Sequence, residues 1–119
     1  MTPTTKKRIL IVDDHEDTAQ MFAFTLEEYY QTRIELHRDD ALKVFIEFQP
    51  DLILLDRFME GPPFDLFVKE VRHIQKSVKI ILVSAAIHAV EDAKALGIAH
   101  MSKPIEPLAI RALVKSLLS

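Results

Sequence analysis

Asp13, Asp14, Asp56, Ser84 and Lys103 are the side chains in this sequence best suited to handling a phosphoryl group or a hard metal ion. Each stands at or near the end of an aliphatic run. Asp13 and Asp14 follow RILIV, Asp56 follows LILL, Ser84 follows KIILV, and Lys103 comes shortly after the weaker run IAHM, immediately before Pro104. Carboxylates gathered in one place repel one another, and their proton affinity rises unless a cation neutralises them. Magnesium suits such a cluster: it takes oxygen ligands, keeps several waters, and is commonly held by one or two carboxylates plus a phosphate, whereas a calcium loop needs more protein oxygens. A carboxylate can also attack phosphorus and form an acyl phosphate, the role for which Asp56 is placed. Phosphoryl transfer then asks for positioning and for charge stabilisation of the equatorial oxygens, which a metal, Lys103 and Ser84 can supply.

These residues meet only if the chain folds so that the ends of distant runs converge. Strand-like runs occur at Arg8 to Val12, Arg33 to Leu36, Asp51 to Leu55, Val78 to Val83 and, weakly, Ile98 to Met101. Between them lie segments with helical spacing: Ala19, Phe22, Ala23 and Leu26; Ala41, Val44, Phe45 and Phe48; Phe67, Val71 and Ile74; and finally Ile110, Leu113, Val114 and Leu117. The runs LILL and KIILV lack polar alternation, as strands do when helices cover both faces of a parallel sheet. The expected class is therefore α/β, a doubly wound five-stranded parallel sheet. In such sheets ligands bind beyond the carboxyl ends of the strands, where the strand order reverses; for the flavodoxin-like order 2-1-3-4-5 that point lies between the first and third strands.

Composition narrows the function classes. The chain has 119 residues, one domain's worth, and its 49% hydrophobic content is that of an ordinary globular protein. A formal net charge of -3 supplies no basic surface for nucleic acid or anionic membrane. There is no cysteine, which excludes disulfides, thiolate metal sites and cysteine nucleophiles. With only Gly61 and Gly97, neither a dinucleotide-binding glycine motif nor a P-loop can be built. No apolar run approaches the roughly 18 residues of a membrane span, and residues 1–7 read as a polar, flexible lead before a domain over 8–119, so a cytoplasmic location is expected.

Taken together, VDD ending the first strand, LLD the third, VSA following the fourth and SKP the fifth make the chain resemble a response-regulator receiver domain of two-component signalling over essentially its whole length. The resemblance implies that Asp14 ligates Mg²⁺ directly, that Asp13 acts chiefly through water, and that Asp56 and the main-chain carbonyl of Phe58 complete the metal's protein ligands. It further implies that Asp56 accepts phosphate from a histidine kinase or histidine phosphotransfer protein, that Ser84 bonds the phosphoryl group in the switched state, and that Lys103 pairs with it. Lys103-Pro104 is commonly cis in such domains, and Phe58 and Ala86 flank the site. His100 occupies the switch position, where an aromatic residue is usual. Glu60 stands in place of a usual proline and Pro63-Phe64 in place of an Asp-Gly pair, so the loop after Asp56 is expected to differ in shape. The expected product is a single-domain response regulator that catalyses only its own phosphorylation and dephosphorylation and signals to a downstream protein through its fourth helix, fifth strand and fifth helix, roughly Ile87 to Leu118. The alternative is a receiver-like docking module that works without phosphorylation. A phosphatase that forms an aspartyl phosphate is disfavoured, because such enzymes generally place a second acid two residues after the nucleophile, and here that residue is Phe58.

Simpler readings exist for each residue alone. Asp14, Asp17 and Ser84 are ordinary helix-capping types, and Lys103 by itself is a solvated lysine. Capping, however, needs one acid per turn, and two adjacent acids converging with Asp56 exceed it. His15, His37, His73 and His88 show no metal-ligand spacing, although His15 adjoins the acidic pair and could tune access to it. Phe58 and Phe64 fall in the loop over the site, as a shield for the acyl phosphate or as a docking contact.

Overall fold

The computed structural model describes residues 6–85 and 89–119; Ala86, Ile87 and His88, named above, lie outside the described residues. Five strands alternate with five helices: β1 (Arg8–Val12), α1 (Glu16–Leu26), β2 (Gln31–Glu35), α2 (Arg38–Phe48), β3 (Leu52–Asp56), α3 (Phe64–Ile74), β4 (Lys79–Ser84), α4 (Ala89–Leu96), β5 (Ala99–Ser102) and α5 (Pro107–Leu118). All strand pairs are parallel, in the order β2-β1-β3-β4-β5. This is the flavodoxin-like α/β arrangement expected from the pattern of runs.

Because strand side chains alternate in direction, the sheet divides the core into two compartments. Leu10, Val12, Ile53, Leu55, Ile80 and Leu82 pack with Ala41, Val44 and Phe45 of α2, with Phe67, Val68 and Val71 of α3, and with Ala89 and Ala93 of α4. Ile9, Ile11, Leu52, Leu54, Ile81 and Val83 pack on the opposite face with Ala19, Phe22 and Leu26 of α1 and Ile110 and Val114 of α5. Both faces of β3 are therefore buried, which explains a run with no polar residue before its last position.

Several boundaries differ from the sequence-based expectation. β2 lies earlier than Arg33 to Leu36, because the Gln31 amide already donates to the Lys7 carbonyl, 2.9 Å away. β3, β4 and β5 each begin one residue later and end one residue later than expected, so Asp56 and Ser84 are the last residues of their strands. Asp51 falls outside β3 and instead accepts the Arg8 amide on its carboxylate at 2.8 Å. In α3 the buried stripe is Phe67, Val68 and Val71, while Ile74, at the helix's last turn, is exposed.

Candidate functional site

Strands β1, β3 and β4 end side by side in the sheet, with Val12 paired to Leu55 and Asp56 paired to Val83. The residues that terminate or follow them consequently converge. Asp13, Asp56 and Ser84 are almost wholly buried, at 1%, 3% and 1% exposure. Asp14, one residue further along, is turned toward solvent with 39% of its side chain exposed.

Lys103 reaches this cluster from beyond β5. Its Nζ lies 3.5 Å from Asp13 Oδ2 and 3.5 Å from Asp56 Oδ1. Its amide donates to the Ser84 carbonyl at 3.0 Å, so the backbone after β5 is tied to the end of β4. The Lys103-Pro104 peptide bond is cis, as the resemblance implied.

The acidic pair is not a helix cap. The N-cap of α1 is His15, whose side chain makes no capping hydrogen bond. Instead Asp13 Oδ1 accepts the His15 amide at 2.9 Å, a local turn that fixes the carboxylate. His15 Nδ1 lies 3.1 Å from Asp14 Oδ1 and 3.6 Å from Asp13 Oδ1. Asp13, Asp14, His15 and Asp56 thus present ligand-capable atoms that all lie within 4.8 Å of one another, a group that could hold a metal ion. Spacing within the sequence passed over His15 because its companions in the cluster are carboxylates, not other histidines.

The electrostatics of the pocket centre on Asp56. Burial, reinforced by neighbouring Asp13, pushes its carboxyl up to about 6; Lys103 and the Phe58 amide pull the other way, and Asp14 adds to the rise. The Phe58 amide lies 3.4 Å from Asp56 Oδ1, and its ring is exposed. The Arg57 guanidinium lies 4.8 Å from the centre of the Phe58 ring and 5.3 Å from that of Phe64, which is half-buried. Arg57 also grips Asp92 of α4, with both Nε and Nη2 at 2.8 Å from Oδ2. His100 is paired with Leu82 across β4 and β5 and half-buried, its Nε2 enclosed without a hydrogen-bond partner.

Arg38 was not identified from the sequence. It opens α2, is buried, and donates from Nη2 to the carbonyls of Asp56 and Arg57, the latter at 3.2 Å, and from Nη1 to that of Pro62 at 3.0 Å. Burial lowers its proton affinity, and the charges of Asp56 and Asp14 partly restore it. Nothing in a lone arginine at a helix start distinguishes it from a surface cation.

A family model described as the response regulator receiver domain matches residues 9–115. The phosphate regulon transcriptional regulatory protein PhoB of Pseudomonas aeruginosa is 29% identical over 118 residues, covering 94% of this chain and 52% of that protein. The DNA-binding response regulator MtrA of Mycobacterium tuberculosis is 29% identical over 117 residues, covering 95% and 51%. The chain thus spans about half the length of these curated relatives. Among solved structures, a response regulator signal receiver domain from Bermanella marisrubri superposes with a TM-score of 0.86 at 25% identity, covering 97% of this chain and all of that one.

Proposed function

Since the chain belongs to the response regulator receiver domain family, we infer that it is a phosphorylation switch whose acceptor is Asp56, a reading carried above all by one observation: a buried carboxylate closing the central strand, beside the Lys103 ammonium and two further acids. The donor set suits a hard divalent cation, since three of its four members are carboxylates. Asp14 and Asp56 would hold Mg²⁺ directly and Asp13 chiefly through water, with the Phe58 carbonyl as a further ligand by analogy with the family. When bound, the ion would neutralise the clustered acids and the charge developing on the transferred phosphoryl oxygens.

The chain's own groups divide the remaining work. One Asp56 oxygen attacks phosphorus, a bond to the donor histidine nitrogen breaks, and the phosphoryl group ends on the carboxylate. Lys103 balances charge on the equatorial oxygens, and Ser84 supplies a hydroxyl for one of them once the group is attached. The added charge and acceptor oxygens then bias the surface of α4, β5 and α5, with His100 the candidate to follow Ser84. The donor would be a histidine kinase or histidine phosphotransfer protein. We read the output of this domain, residues 8–119, as a contact with a downstream protein, since the whole chain's net charge of -3 gives no general attraction for nucleic acid.

The test is direct. With Mg²⁺ and acetyl phosphate or phosphoramidate, the latter mimicking a phosphohistidine, the protein gains roughly 80 Da in a hydroxylamine-labile form, and Asp56→Asn does not. Lys103→Met slows the gain by about 10²-fold. If neither small donor nor a panel of phosphorylated histidine kinases labels the wild type, the protein is a docking module that does not use phosphate. Turnover of unrelated phosphate esters would make it a phosphatase.

A further inference from the structure

Arg38 is the only buried cationic side chain among the described residues, and ordinary rules disfavour its position. It is the first residue of α2, where the aligned peptide dipoles oppose a positive charge, and buried arginines are rare unless paired. Its described hydrogen bonds run to main-chain carbonyls, and they are distributed in a particular way. Asp56 and Arg57 stand where the β3–α3 connection begins, and Pro62 stands close to where it ends. The same connection presses on the first turn of α2. A Cβ added at Gly61, whose φ is +115°, would come within 2.9 Å of Asp39 Oδ1 and 3.3 Å of Arg38 Cβ. Between the gripped ends lies Phe58, whose amide approaches the Asp56 carboxylate.

We propose that Arg38 is a positioning residue for the phosphoryl and metal pocket: by holding both ends of the connection after β3, it sets where the Asp56 carboxylate and the Phe58 main chain stand. The guanidinium's planar fork is what allows one side chain to serve carbonyls at both ends, and a lysine ammonium has no equivalent geometry. Glu60 and Pro63-Phe64 depart from the proline and Asp-Gly pair that the resemblance leads one to expect, so the connection is shaped by other residues. Arg38 adds to it a clamp from the neighbouring helix. The inference rests on the reading of Asp56 and its neighbours as an Mg²⁺-dependent acceptor.

Mg²⁺ binding to the full chain, followed by calorimetry, tests it with Arg38→Met, Arg38→Lys and, as a control, Arg33→Met at an exposed ion pair with Glu47. Groups that orient metal ligands typically change affinity by about 10- to 100-fold when removed. Arg38→Met is expected to weaken Mg²⁺ within that range, Arg38→Lys to weaken it nearly as much despite keeping the charge, and Arg33→Met to leave it unchanged. If Arg38→Met does not fold, Arg38→Lys decides the matter. The rate of labelling by acetyl phosphate or phosphoramidate gives a second readout: the variant's loss should lie in the Mg²⁺ concentration needed and be recovered at saturating Mg²⁺, which a general loss of folded protein would not do. Wild-type affinity in the folded Arg38 variants, or a loss that saturating Mg²⁺ leaves intact, overturns the proposal alone. A wild type that binds no Mg²⁺ overturns the reading of the pocket and this inference together.

Discussion

At the residue scale the Asp56 carboxyl ties function to stability. Its folded value of about 6 lies above the ordinary 3.8, so between those values the folded chain binds more protons than the unfolded one. Stability from this group is full below about pH 4 and is lost as pH rises through 6. In the metal-free protein at pH 7, Asp56→Asn is therefore expected to stabilise by about 3 kcal/mol, a gain that fades toward pH 4; urea unfolding in a chelator at the two pH values measures it. Mg²⁺ should stabilise the wild type at pH 7 by a separate route, because it binds the folded cluster and not the dispersed acids of the unfolded chain. Much of this pocket was legible from the sequence. A parallel sheet delivers the carboxyl ends of its strands to one edge, so Asp13, Asp56 and Ser84 could be placed by finding where each aliphatic run stops. Arg38 could not be found that way, and His15 was legible only as a neighbour of the acidic pair, not as a member of the ligand-capable cluster. Arg38 acts on main-chain carbonyls, which carry no residue-type signal, and His15 joins the cluster only through a local turn at the start of α1.

At the element scale, the connection after β3 is fastened to two helices: to α2 by Arg38 and to α4 by Arg57 and Asp92. The Arg57–Asp92 pair is partly shielded, with side chains 21% and 33% exposed, and the guanidinium lies against two phenylalanine rings. A double-mutant cycle with Arg57→Met and Asp92→Asn is expected to give a coupling of about 0.5–1 kcal/mol, toward the upper end for pairs near a surface. Amide exchange in α4 should accelerate in either single variant, since the helix loses its tie to the connection after β3. Strand and helix order could be read from alternating runs, but strand ends shifted by one or two residues, because pairing is set by partners such as Lys7 for Gln31 that lie elsewhere in the chain.

At the scale of the whole molecule, the core is two packed volumes separated by a sheet, and substitution effects should follow that division. Leu54→Ala, in the central strand and fully enclosed, is expected to cost about 2–5 kcal/mol, whereas Phe24→Ala on the outer face of α1, where the ring is 79% exposed, should stay within about 0.5 kcal/mol; chemical denaturation distinguishes them. Val44→Ala and Val114→Ala occupy opposite volumes, so their effects should add to within about 0.5 kcal/mol. The Asp56 pocket sits on the rim where that partition ends, with one cation, Arg57, reaching to α4 on one flank and another, Lys103, arriving on the backbone that leads into α5 on the other. If the proposed switch operates there, one event at the rim would meet side chains anchored on both faces of the sheet.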